Sequence, residues 1–153
     1  MDLVPIPVTT EYLRQSEPLW LPFLERISQR TGEPVASLYD RIMREEVQPI
    51  LVMDGKEARA LCGVCFYMRE DEKIAQWQWM TGTGRKDWEH LLPIMERFMA
   101  DMGAAICEPV CRKGWSRLLK RCGYEITGHR DDGHVVMEKR LWAPAVNNSH
   151  NSL

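Results

Sequence analysis

Apolar residues recur along this chain at two periods, every second residue in some stretches and every three to four in others. Leu3 to Val8 is an apolar run containing Pro5 and Pro7, which cannot donate to a ladder, so it reads as an edge strand or extended arm. Thr9 or Thr10 can cap the helix that follows. Tyr12, Leu13, Leu19, Trp20, Phe23, Leu24 and Ile27 form a helical stripe that Pro18 and Pro22 are expected to interrupt. Thr31-Gly32-Glu33-Pro34 ends it, and Pro34 opens a second helix carrying Val35, Leu38, Tyr39, Ile42 and Met43. Ile50–Met53 and Ala58–Met68 read as strands joined at Asp54-Gly55, a strong hairpin signal. After the charged turn Glu70-Asp71-Glu72, Lys73–Met80 is a further strand, with Gln76 and Gln78 on one face and Trp77 and Trp79 on the other.

The remaining pattern predicts helix, strand, short helix and hairpin. Trp88, Leu91, Leu92, Met95, Met99 and Met102 follow helical spacing, with Asp87 as expected N-cap and Gly103 just past the end. Pro93 is expected to kink this helix or delay its start. Ala104–Val110 reads as a buried strand, and Trp115, Leu118, Leu119 and Cys122 mark a short helix ending at Gly123. Tyr124–Gly128 and His134–Leu141 pair around Asp131-Asp132-Gly133. The expected organisation is one domain over 1–141 and a polar, mobile tail over 142–153.

At 153 residues the chain is long enough to bury a core without metal or disulfide staples. A formal net charge of −2 gives no nucleic-acid footprint, although a basic face can hide inside a near-neutral total. No apolar run approaches the roughly 20 residues that span a bilayer, so no membrane association is expected. The N-terminus lacks the features of a secretory signal. Five cysteines, an odd number, suit reduced thiols in a cytoplasmic setting. The sequon at Asn147-Asn148-Ser149 carries no weight without secretion.

The strongest candidate chemistry is the turn Thr81-Gly82-Thr83-Gly84-Arg85-Lys86, between a strand and a helix. Backbone N–H groups at a helix start, with the helix dipole, can hold an anion such as a phosphate. Gly82, Thr83, Gly84, Arg85 and Lys86 are therefore the candidate cofactor-binding residues. The competing reading is a plain turn with solvated cations. Cys62-x-x-Cys65 and Cys107-x-x-x-Cys111 invite a zinc hypothesis. Residues three apart in a strand face opposite sides, so burial as small apolar groups is the better reading and no metal is expected. His90, His129, His134 and His150 accompany no nucleophile motif. Glu108 is a candidate general base if its pKa is raised, and equally a rim carboxylate. Six tryptophans and nine methionines are mostly core at these spacings, with a sticky assembly surface as the alternative.

The element order, the glycine turn and Arg117-Leu118-Leu119-Lys120-Arg121-Cys122-Gly123-Tyr124 together resemble the GNAT acyltransferase superfamily. The resemblance implies a mixed α/β fold, a twisted and mostly antiparallel sheet flanked by helices on both faces. It implies acetyl-CoA as co-substrate, its phosphates near Gly82–Lys86 and its pantetheine arm along Gln78–Thr81. It implies acyl transfer to an amine. Three positions depart from the family pattern. Trp79 stands where the family's loop has Gln or Arg, Arg112 where it often has Asn, and Leu119 where it often has a general-acid Tyr. No catalytic residue is assigned. The chain is also similar to short GNAT-like phage proteins, through Trp77-Gln78-Trp79-Met80-Thr81 and Trp115–Tyr124. That resemblance implies the alternative function, a catalytically silent virion or assembly protein with partners in a phage particle.

Overall fold

A computed structural model describes residues 1–82 and 84–142. The described residues form seven strands and four α-helices in a mixed α/β fold. The strands are β1 (Asp2–Pro5), β2 (Gln48–Asp54), β3 (Glu57–Arg69), β4 (Glu72–Thr81), β5 (Ile106–Cys111), β6 (Glu125–His129) and β7 (Val135–Arg140). The helices are α1 (Thr10–Thr31), α2 (Val35–Met43), α3 (Arg85–Asp101) and α4 (Ser116–Arg121), the last preceded by a 3-10 turn at Lys113–Trp115. The strand order is β1-β2-β3-β4-β5-β7-β6, and β1–β2, β2–β3, β5–β7 and β6–β7 pair antiparallel. The chain divides into two compact units, and β3, β4 and α3 each contribute to both.

The first unit comprises Met1–Cys65 and Trp77–Leu91. Its core joins Leu13, Trp20, Leu24 and Ile27 of α1 and Leu38 and Ile42 of α2 to Leu51, Leu61 and Trp79 of the strands. The Thr9 hydroxyl accepts from the Tyr12 N–H and caps α1, while Gly32, at φ 79°, closes it with an N–H donated to Ser28. Contrary to expectation, α1 runs unbroken through Pro18 and Pro22. Both prolines are exposed, as are Arg14 and Pro18, the residues whose carbonyls lose their helical donors. Those carbonyls lie on the solvated side, and burial of the opposite stripe holds the helix together. The indole of Trp20 donates to the Leu13 carbonyl and the Ser16 hydroxyl, each at 3.1 Å, which satisfies a buried polar tip. β1 is the edge strand its prolines predict, but it ends at Pro5. Gly55, at φ 62°, makes the Asp54-Gly55 turn between β2 and β3.

The second unit comprises Phe66–Gln76 and the described residues from Leu92 onward. β7 lies between β5 and β6, so the C-terminal hairpin belongs to the sheet, and Gly133, at φ 91°, lies in its turn. Val135 and Met137 of β7 are buried. Tyr124 precedes β6 and is also buried, its hydroxyl donating to Glu96, which in turn accepts from Lys139 at 3.1 Å. Burial and this carboxylate push the Tyr124 hydroxyl far above its ordinary range, which marks it as a packing residue. β5 begins at Ile106, later than Ala104. Trp142 donates its indole N–H to the Ala104 carbonyl at 2.7 Å, and the tail expected beyond it falls outside the described residues.

Candidate functional site

The sequence points first to the turn between β4 and α3, in the first unit. β4 ends at Thr81, which is buried, and the chain turns at Gly82 with φ 130°. This position requires glycine for two reasons. The φ lies in a region that side chains rarely adopt. A Cβ would also sit 2.4 Å from the Arg59 carbonyl oxygen and 2.6 Å from the Ala60 Cα. The turn is thus pressed onto the β3 backbone. Gly84 is the opposite case: it is exposed, and a Cβ there would meet nothing within 4 Å. Its carbonyl accepts from the N–H groups of Asp87, at 3.0 Å, and Trp88, at 3.2 Å. Helix α3 already runs at Arg85, so Asp87 is in its first turn and does not occupy the predicted cap position. Pro93 lies within α3 and does not delay its start.

At the start of α3 the Asp87 and Trp88 N–H groups close the first turn on the Gly84 carbonyl, and Gly84 itself is exposed. Lys86 is exposed in the same turn. Of the five predicted residues, Gly82, Gly84 and Lys86 lie at this helix start. Thr83 and the Arg85 side chain lie outside the described residues. Trp88 is buried and anchors the first turn of α3 into the unit.

The two faces of β4 have separate roles. Trp79 is 6% exposed and packs in the core, where Gly63 leaves space for its ring: a Cβ on Gly63 would approach the indole to 2.5 Å. A residue so placed offers a ligand no polar group. Gln78 faces the other way. Its amide oxygen accepts from Arg41 of α2, and its amide nitrogen lies 3.2 Å from the Cys65 sulfur. Arg41 also pairs with Glu33 at 3.2 Å and lies 5.5 Å from the Trp79 ring centroid. This strut between α2 and β4 is invisible in the sequence, because its partners are far apart along the chain.

The second unit holds a polar cluster of its own. Glu108 of β5 is 5% exposed, and each of its carboxylate oxygens accepts one hydrogen bond. Tyr67 donates its hydroxyl to Oε2 at 2.7 Å, and Gln76 donates its amide to Oε1 at 2.6 Å. Burial, and then the bond to Glu108, push the Tyr67 hydroxyl up to about 12. The sequence singled out Glu108 and missed Tyr67 and Gln76 as its partners. The only available signal was a tyrosine and a glutamine on strand segments with otherwise apolar neighbours.

The other candidates form no such arrangement. Cys62 and Cys65 lie on β3, one fully buried and one half-buried, and burial pushes the Cys62 thiol well above its ordinary range. Burial likewise raises Cys111, to about 11, and none of the five cysteines forms a disulfide. His90 is exposed on α3; His129 and His134 stand at the two ends of the β6–β7 turn. His150 lies outside the described residues. No helix among the described residues is long and apolar enough to cross a membrane.

Solved structures match nearly the whole chain. An aminoglycoside 6'-N-acetyltransferase from Enterococcus faecium superimposes with a TM-score of 0.69 at 12% identity, over 94% of this chain and 99% of that one. FeeM, an N-acyl amino acid synthase from uncultured soil microbes, gives a TM-score of 0.68 at 6% identity, over 92% and 95%. An aminoglycoside 6'-N-acetyltransferase complexed with coenzyme A gives 0.66 at 13% identity, over 94% and 99%. The fold is the GNAT fold. No family model and no curated protein matches the sequence. Within the GNAT fold, the β4–α3 turn is where the resemblance to the superfamily set the donor loop. The departures noted from sequence have physical counterparts. Trp79 is core, and Leu119 is 2% exposed on α4, a packing residue with no proton to give.

Proposed function

We propose that this chain is an acyltransferase that moves an acyl group from acyl-CoA, acetyl-CoA being the simplest donor, to an amine. The observation that carries this reading is the β4–α3 turn. Gly82 packs the loop against β3, while a Cβ on Gly84 would meet no atom within 4 Å beyond its chain neighbours. Phosphates placed there would meet backbone N–H groups, the positive end of the α3 dipole and Lys86. The GNAT fold supports the same reading, since a matched acetyltransferase is complexed with coenzyme A.

The chemistry asked of such a site is modest. A neutral amine attacks the thioester carbonyl, a C–N bond forms and the C–S bond breaks. The amine loses a proton, and the CoA thiolate gains one. Holding the two reactants in line supplies much of the acceleration. Glu108 fits poorly as the proton acceptor, because both its oxygens already take hydrogen bonds from neutral donors. Leu119 favours a second reading, the catalytically silent assembly protein, since the family's acid position holds a buried alkyl group. One experiment separates them. Incubation with acetyl-CoA and a panel of primary amines, followed by chromatography, should show free CoA and acylated amine in equal amounts. Donor binding without product from any amine would favour the silent protein.

A further inference from the structure

The near-neutral total charge of this chain conceals a basic stretch. Residues 109–124 include Arg112, Lys113, Arg117, Lys120 and Arg121 and no acid. The stretch lies wholly in the second unit, over the end of β5, the 3-10 turn Lys113–Trp115 and α4. All five cations are exposed. Leu118 and Leu119 of α4 are buried, so Arg117, Lys120 and Arg121 follow at i, i+3 and i+4 on the opposite face of the helix. Trp115 is half-buried and ends the 3-10 turn, which sets an aromatic ring among the cations.

Local structure does not account for this charge. Like charges three and four residues apart repel one another on a helix surface. Arg117 stands in the first turn of α4, where the helix dipole disfavours a cation, and only Lys120 and Arg121 suit the last turn. Other exposed arginines have acidic partners, Arg44 with Asp40, Arg59 with Asp54 and Arg140 with Glu72. Among the described residues Arg112, Lys113, Arg117 and Lys120 form no ion pair. Arg121 makes a contact of its own within the protein, which leaves four unpaired cations.

A surface of unpaired cations attracts a polyanion and needs no pocket to do so. An anionic membrane would call for an outward apolar face, yet α4 buries its leucines in the protein. An acidic peptide would engage the cations and give Trp115 no part. A single-stranded nucleic acid uses both, with phosphates on guanidinium and ammonium groups and a base on an aromatic ring. We propose that segment 112–121 is a docking surface for single-stranded nucleic acid, with phosphates on Arg112, Lys113, Arg117 and Lys120 and one base stacked on Trp115. The surface is independent of the acyltransferase reading.

The test is fluorescence anisotropy of a labelled oligothymidylate with the full chain, over a series of salt concentrations. Four neutralised phosphates give a log–log slope of affinity against salt of about −3. Arg117→Gln combined with Lys120→Gln, both at exposed positions, should bring the slope to roughly −1.4. Arg14→Gln combined with Arg44→Gln removes the same charge from α1 and the end of α2 and should leave the slope unchanged. Trp115→Leu should weaken binding by at least about fivefold at constant slope, because stacking is uncharged. The Arg117 and Lys120 pair decides the matter even where Trp115→Leu, at a half-buried site, fails to fold. No anisotropy change at low salt, an equal slope in the wild type and the double variant at 117 and 120, or an equal fall in the variant at 14 and 44 would each overturn the proposal. Displacement by polyglutamate as effective as by unlabelled oligonucleotide of equal charge would also overturn it and make the surface a site for an acidic protein.

Discussion

Replacing Gly82 by alanine should destabilise the protein markedly, while the same change at Gly84, two residues on, should not. At Gly82 the new methyl would stand 2.4 Å from the Arg59 carbonyl oxygen, 2.6 Å from the Ala60 Cα and 2.9 Å from the Ala60 Cβ. Two of these contacts are with backbone, so no side chain can swing aside. Overpacking of this kind costs about 1–3 kcal/mol. Holding alanine at φ 130° adds strain of about 1–3 kcal/mol. Alanine also restricts the unfolded chain, which returns about 0.4–1 kcal/mol. The net expectation is a loss of about 1–6 kcal/mol. At Gly84 the methyl meets nothing within 4 Å and the φ carries no strain, so only the unfolded-state term acts and the change should fall within about 1 kcal/mol of zero. Urea denaturation of the three proteins, followed by tryptophan fluorescence, gives the differences from the midpoints. Equal midpoints for wild type and Gly82→Ala would refute the close approach of this turn to β3.

Three further outcomes follow from the packing and the electrostatics. Gly63→Ala should push the Trp79 ring out of place, since its Cβ would lie 2.5 Å from the indole, with a loss of about 1–3 kcal/mol and an altered emission spectrum; an unchanged spectrum and midpoint would contradict it. The Tyr67 hydroxyl, raised from 10.0 to about 12 by burial and its bond to Glu108, keeps its proton longer in the folded protein than in the unfolded chain. Its contribution to stability is therefore intact below about pH 10 and lost as pH rises toward 12, so Tyr67→Phe should flatten that part of the stability curve measured by urea midpoints. Trp20→Phe should lose stability by about 1–3 kcal/mol, measured the same way, because the Leu13 carbonyl and the Ser16 hydroxyl lose their shared indole donor; an unchanged midpoint would show that water replaces it.

Local rules made much of the fold legible. The Asp54-Gly55 and Asp131-Asp132-Gly133 turns, the Thr9 cap and the Gly32 stop are decided within a few residues, and all appear where the sequence set them. The errors arose where tertiary contacts override local preference. Pro18 and Pro22 should break a helix in isolation, but α1 buries Leu13, Trp20, Leu24 and Ile27, and its prolines face water. Asp87 looked like a cap because of its side chain, whereas α3 starts two residues earlier, at Arg85, after the turn that Gly82 packs onto β3. The glycine turn was readable as a site because its chemistry is contiguous. The Glu108 cluster was not, because its partners lie 41 and 32 residues away, and only strand pairing brings such residues together. The same holds for Arg41 and Gln78, which are 37 residues apart.

The central claim is that CoA phosphates dock above Gly84 at the start of α3, and Gly84→Val tests it most directly. The Cβ of valine there meets no atom within 4 Å beyond its chain neighbours, so the melting temperature should stay near that of the wild type. The ligand would lose the close backbone approach that only glycine permits. In calorimetric titration with CoA, the wild type should bind, and Gly84→Val should bind at least about tenfold more weakly, the scale of one or two lost phosphate hydrogen bonds. A wild type that gives neither heat nor a thermal shift at saturating CoA, or a Gly84→Val protein that binds equally well, would contradict the account.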